Sequence, residues 1–181
     1  MSRHVALVRG INVGGHRRVP MATLRERFAA AGATDVATYI QSGNVVFSAP
    51  PRGAPAIASA VQRDLESMHG GSVPVVTRSA AAWRRILASL PFTDLPEERS
   101  SVSVGLLDRR PTAARAAALD PDHSPGDRFV LDGTTLYLDL PRGVRETGLT
   151  VAWFERELGV SCTVRNWRTM LALRDRLDAP A

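Results

Sequence analysis

The chain has 181 residues, 44% apolar and 23% charged, an ordinary globular mixture that excludes collagen-like, low-complexity and wholly disordered chains and permits one large or two small domains. A single cysteine, Cys162, excludes an intramolecular disulfide framework and a cysteine zinc cage; no apolar run approaches the roughly 18 residues of a membrane span, and a soluble cytoplasmic protein is expected. All 23 basic residues are arginine, which excludes lysine Schiff-base chemistry and the lysine of a Walker phosphate loop.

The formal charge of +5 is unevenly spread. Residues 1–90 hold 11 arginines against four acids, a net of +7, and residues 91–181 hold 12 against 14, a net of −2. Guanidinium groups pair bidentately with phosphate and carboxylate, so the basic half favours an anionic partner. The absence of lysine beside abundant alanine also fits a bias of composition.

In chain order, His4–Arg9 reads as a buried strand followed by a loop with Gly10, Gly14 and Gly15. Pro20 opens a helix in which Met21, Leu24 and Phe28 share a face and Gly32 is the stop. Val36–Gln41 and Asn44–Ser48 form a hairpin across Ser42 and Gly43. Ile57, Val61, Leu65 and Met68 line a second helix, and Val73–Thr77 is a strand. A connecting helix capped by Ser79 carries Trp83, Ile86, Leu87 and Leu90.

The order then repeats. Val102–Leu107 is a strand, Thr112–Leu119 a helix, and Arg128–Leu131 with Thr135–Leu140 a hairpin across Asp132 and Gly133. Thr150 caps a helix that ends at Gly159, Cys162–Arg165 is a short strand, and a last helix starts near Asn166. Two βαββαβ units predict an α+β protein of two tandem ferredoxin-like plaits: residues 1–78 and 101–165, joined by 79–100 and followed by a helix over 166–181. In the first unit the strands are apolar on both sides of the pleat, so both sheet faces are expected to be covered, most economically by the helix with Trp83. In the second, Val102, Val104 and Leu106 alternate with Ser101, Ser103 and Gly105, and Leu136, Leu138 and Leu140 with Tyr137 and Asp139, which predicts one polar face.

This topology brings the loop after the first strand and the first hairpin to one end of the sheet. The two segments carry Arg9, Asn12, Gly14, Gly15, Arg17 and Arg18, and Gln41, Ser42 and Asn44. Glycines allow close approach of backbone N–H groups, a helix N-terminus follows, and arginine and amide side chains supply charge and orientation, so an anion is the expected guest. Arg9, at the end of a buried strand, is the strongest single candidate. Asn44 also has a structural reading, satisfying backbone groups beside its hairpin. A second cluster, Arg165, Asn166 and Arg168 around Trp167, combines a helix cap with flanking charge.

Catalytic signatures are absent: no Walker loop, GxGxxG, HExxH or Gly-x-Ser-x-Gly occurs. His4, His16, His69 and His123 lack metal-ligand spacing, so no metal or cofactor is expected, and Cys162 reads as a small buried apolar residue.

The segments LVRGINVGG (Leu7 to Gly15), VPMATLR (Val19 to Arg25), TYIQSGNVVFS (Thr38 to Ser48) and RNWRTMLAL (Arg165 to Leu173) resemble the signature of the bacterial domain of unknown function 1697 family, across nearly the whole chain. The resemblance implies two ferredoxin-like domains with accessory helices and no established activity, and it carries over no catalytic residue. Where the family commonly shows lysines after the double glycine, this chain has His16, Arg17 and Arg18, which keeps the charge but not lysine chemistry. The leading expectation is binding of a small phosphate- or carboxylate-bearing molecule in the first-domain loops, with Arg165 and Arg168 closing over it. The alternatives are a nucleic-acid-binding module, an enzyme acting on a phosphorylated metabolite with Ser42 as hydroxyl, and a structural or interaction protein.

Overall fold

The computed structural model describes residues 1–14, 17–50 and 52–179, so Gly15 and His16 of the first loop lie outside the described residues. The first apolar run forms β1 (Ser2–Val8), and the amphipathic segments that follow give α1 (Met21–Ala30), β2 (Thr34–Tyr39), β3 (Asn44–Ala49), α2 (Ala54–His69) and β4 (Val75–Ser79). After α3 (Ala80–Ala88) come β5 (Val102–Leu107), α4 (Ala113–Ala117), β6 (Arg128–Asp132), β7 (Thr135–Asp139), α5 (Val151–Leu158), β8 (Cys162–Asn166) and α6 (Trp167–Asp178). The architecture is α+β, with two four-stranded antiparallel sheets ordered β2-β3-β1-β4 and β6-β7-β5-β8. No helix of the described residues is long and apolar enough to cross a membrane.

Several boundaries differ from the sequence expectation. Strand β1 ends at Val8, and Arg9 begins the loop, its N–H donating to the Pro74 carbonyl at 2.9 Å. Strand β4 starts at Val75 because Pro74 offers no N–H to the ladder. Strand β2 starts at Thr34 and stops at Tyr39, leaving Ile40 and Gln41 to the turn.

The chain divides into two compact units, Met1–Arg85 with Ala172–Ala181, and Ile86–Leu171. In the first, Leu24 and Phe28 of α1 and Ile57, Val61 and Leu65 of α2 pack on Ala6, Val8, Val45 and Phe47. The Phe28 and Phe47 rings sit 5.2 Å apart. Residues on the other side of the pleat, Val5, Leu7 and Val46, are buried as well, as their doubly apolar strands predict. Trp83 of α3 is fully buried. The last turns of α6 supply a cover not foreseen from sequence: the Arg176 guanidinium lies 4.1 Å from the Tyr39 ring centre, Arg3 donates to the Arg176 carbonyl at 2.8 Å, and Asp178 pairs with Arg84 of α3.

The second sheet corrects an expectation. A polar face was predicted, yet every residue of β5 and β7 is buried. The register is the reason: Ser103 stands opposite Leu138 and Gly105 opposite Leu136, while Val102 stands opposite Asp139 and Val104 opposite Tyr137. The small residues of β5 therefore share a face with the leucines of β7, and each face carries a mixture. Leu136, Leu138, Leu158, Phe154 and Cys162 form the core on one side. On the other, the Tyr137 hydroxyl donates to the Ile86 carbonyl at 2.9 Å, and burial foremost pushes its pKa up to about 12. Asp139 accepts from Arg128 at 2.7 Å.

Gly105 is required by that packing, since a Cβ there would lie 2.9 Å from the Cys162 Sγ and 3.2 Å from the Leu136 Cβ. Gly105→Ala is expected to destabilise the protein by about 1–3 kcal/mol, as overpacking does. Cys162→Ala in the same chain removes the clashing sulfur, so the double variant should unfold at higher denaturant than Gly105→Ala alone. Equal midpoints would show that the sulfur is not the obstacle.

Candidate functional site

The two sheets follow one element order, and at one end of each the connections differ in length. Strand β1 is joined to α1 by residues 9–20, whereas β5 reaches α4 through 108–112; β2 and β3 are joined by 40–43, whereas β6 and β7 need only 133–134. Both enlarged connections are in the first unit, and both leave the same end of its sheet: Leu7 pairs with Asn44, and the Val8 N–H donates to the Gly43 carbonyl at 2.8 Å.

Asn12 holds the two loops together. Its Nδ2 donates to the Val19 carbonyl at 2.9 Å and to the Gln41 carbonyl at 2.8 Å, and its Oδ1 accepts from the Val19 N–H at 2.9 Å. The side chain thus replaces a stretch of backbone pairing for Val19 and reaches across to the hairpin with its second hydrogen. Both Nδ2 hydrogens are committed, so Asn12 shapes the site without offering an amide donor into it. The backbone bends sharply around it. Gly10, Asn12, Gly14 and Arg17 in the loop and Ile40 and Gly43 in the hairpin all have positive φ. For a β-branched residue such as Ile40, at +49°, this is a costly conformation. Ile11, 1% exposed, anchors the loop in the helix-side core.

Between the loops lies a pocket of ≈ 430 Å³ lined by Asn12, Arg18, Val19, Pro20 and Gln41. Arg18 is exposed and is the charged member of that lining. Pro20 is the N-cap of α1, which has no side-chain cap and no acidic residue in its first turn. The positive end of the helix is therefore uncompensated by its own sequence at the pocket wall. An anion placed here would meet a guanidinium and a helix N-terminus together.

The remaining expected residues divide. Arg17 donates from Nη1 to the Ser72 carbonyl at 3.0 Å, which ties the first loop to the segment before β4. Gly14 is exposed in the loop, and Arg9 is half-buried at its start. Asn44, fully buried, donates to the Tyr39 carbonyl at 3.1 Å and to the Ser42 hydroxyl at 2.9 Å, so its amide closes the hairpin. Arg165, Asn166 and Arg168 belong to the second unit. Asn166 caps α6 by accepting from the Thr169 N–H at 2.9 Å, and Arg168 is exposed. Arg165 donates to the Val164 carbonyl at 2.8 Å, and burial pulls its pKa down to about 10, which leaves it charged at neutral pH. Among the described residues no group of His, Cys, Asp or Glu is arranged to hold a metal ion.

Sequence reasoning passed over Val19 and Pro20 as pocket walls and Val13 and Ile40 as exposed apolar residues, 64% and 52% accessible, within otherwise polar loops. The missing cap was readable, since Val19-Pro20 precedes α1 where Ser, Thr, Asp or Asn would be usual.

The fold and this site define a repeated α+β protein whose first unit alone carries an elaborated, positively charged loop end. Residues 1–137 match the family described as "Protein of unknown function (DUF1697)", and the chain belongs to it. Among solved structures, it is similar to the conserved bacterial protein SP0830 from Streptococcus pneumoniae, with 21% identity over 99% of both chains and a TM-score of 0.68, a likeness of fold. No curated protein matches.

Proposed function

We propose that this chain is a ligand-binding protein that holds a small phosphate- or carboxylate-bearing molecule in the pocket between the β1–α1 loop and the β2–β3 hairpin. The observation that carries the reading is the pairing of Arg18 with the uncapped N-terminus of α1 on one pocket wall. Asn12 fixes the loops, Gln41 borders the pocket, and Arg9 and Arg17 add to the positive potential of the rim. The strand order and repeated element order support reading each unit as a ferredoxin-like plait, over 1–78 and 101–165. A bacterial, cytoplasmic protein belongs to the same proposal, the bacterial part of it in keeping with the bacterial structural neighbour.

Nucleic-acid binding through stacked aromatic rings has less support. Phe47 is buried beneath the helices, and Arg176 lies over Tyr39, so neither ring is presented to a base.

The test is calorimetric titration with inorganic phosphate and with citrate, at low salt. Removing a charge-assisted contact is worth about 1.5–3 kcal/mol, so Arg18→Ala is expected to weaken binding by roughly ten- to a hundredfold. For the wild type, probe at about 100 times its dissociation constant should add roughly 2.7 kcal/mol of stability. Equal affinity of the variant and the wild type would reject the assignment.

A further inference from the structure

The elaborated loops expose apolar side chains, and for one of them, Ile40, the backbone conformation is itself costly. Val13 and Ile40 are 64% and 52% accessible. Each is the chain neighbour of a pocket-lining residue, Asn12 and Gln41 respectively, and the Asn12 Nδ2 bond to the Gln41 carbonyl joins those two neighbours at 2.8 Å. Ile40 is the sharper case. A turn residue at φ +49° is served best by glycine or asparagine, and a polar side chain would also suit the solvent. Isoleucine satisfies neither demand. The pocket lining includes Val19 and Pro20 as well as its polar residues and holds no acid among the described residues, and Val19 belongs also to the helix-side core.

We infer that the natural ligand is amphipathic: a soluble small molecule with one anionic group, seated at Arg18 and the start of α1, and an apolar body that covers Val13 and Ile40. This rests on the anion-binding reading above and adds the class of molecule. The charged end supplies orientation, and the apolar end supplies selectivity over bare phosphate. Residues held in sparsely populated backbone regions cluster at ligand clamps and active sites, and Ile40 is one such residue beside the pocket-lining Gln41.

The experiment compares inorganic phosphate with hexyl phosphate on the wild type, Ile40→Asn and Val13→Ser. On the wild type, hexyl phosphate is expected to bind at least about tenfold more tightly, which is the effect of burying two methylenes. In either variant that ratio should fall towards one. Ile40→Asn should melt no lower than the wild type, because asparagine tolerates the left-handed backbone, so a lost ratio is not a lost fold. Equal wild-type affinities for the two phosphates would overturn the amphipathic assignment while leaving the anion site standing. A ratio unchanged by both variants would likewise overturn the role of these side chains. Binding of neither probe would sink both readings. Sedimentation with phosphatidylcholine vesicles doped with phosphatidic acid, without binding of soluble hexyl phosphate, would overturn it in favour of a lipid surface.

Discussion

Gly43→Ala is expected to lower the stability of the protein by about 3 kcal/mol, adding a left-handed backbone penalty of roughly 1–2 kcal/mol to an overpacking penalty of roughly 1–3 kcal/mol. Gly43 has φ +75°, and a Cβ there would lie 2.9 Å from both the Cβ and the carbonyl oxygen of Val8 and 3.0 Å from the Ile11 Cδ1. Two of these obstacles cannot swing aside. The Val8 carbonyl is backbone, and Ile11 is the buried anchor of the first loop. In a chain of this size the loss corresponds to a melting temperature lower by roughly 10 °C. Gly70 provides the comparison, because its φ is +67° but nothing lies within 4 Å of an added Cβ. Gly70→Ala should therefore cost only the backbone penalty, about 1–2 kcal/mol. If the two variants melt together, close packing of the hairpin on β1 is not what makes Gly43 necessary.

Asn12→Ala is the second large effect, expected at about 2–4 kcal/mol and concentrated in the first loop. The substitution removes three hydrogen bonds, leaves the N–H and carbonyl of the buried Val19 without their side-chain partner, and places alanine at φ +57°. Amide exchange at Val19 should accelerate strongly while amides of β5 and β7, in the other unit, remain protected. Asn12→Asp separates the contributions. Its carboxylate still accepts from the Val19 N–H but can donate to neither carbonyl, so Val19 should keep more of its protection while the tie to Gln41 is lost. Undisturbed exchange at Val19 in Asn12→Ala would show that the loop is held by other means.

These two positions mark how far local reading extends. Gly43 was visible as a turn residue because Ser42-Gly43 separates two β-rich runs, but the sequence did not reveal that Val8 presses on it from another strand. Asn12 and Asn44 both read from sequence as amides for a ligand, Asn44 with a structural reading beside it. The bonds of Asn44 match that structural reading, closing its own hairpin, and Asn12 spends its donors on Val19 and on a carbonyl 29 residues away. An amide in a polar loop looks the same in either role until its partners are in place. Arg9 reads from sequence as the leading charge because it ends a buried strand; with β1 ending at Val8 it lies one residue further on, at the start of the loop, and Arg18 lines the pocket.

The second sheet makes the same point about faces. Alternation along β5 and along β7 was each read correctly, but the two strands were set in phase with each other when they are out of phase. A strand's own period of two says which residues share a side, not which side of a neighbour they meet. Hence Ser103 and Gly105 lie with leucines, and β5 and β7, expected to keep a polar face, are buried on both sides, while exposed positions of the sheet occur on β6 at its edge.

By itself the sequence determined the repeated order of strands and helices, the inward faces of α1 and α5, the caps at Thr150 and Asn166, and the burial of the first sheet on both sides, because each depends on spacing or residue type within a short stretch; on α2 it placed Ile57, Val61 and Leu65 inward correctly, but Met68, expected on the same face, is exposed in the last turn. Tertiary structure alone decided the register of β5 on β7, the covering of Tyr39 by the end of α6, and which loop arginine borders the pocket. Those depend on groups brought together from distant parts of the chain, and a hydrogen bond or steric contact between them leaves no mark on either segment alone.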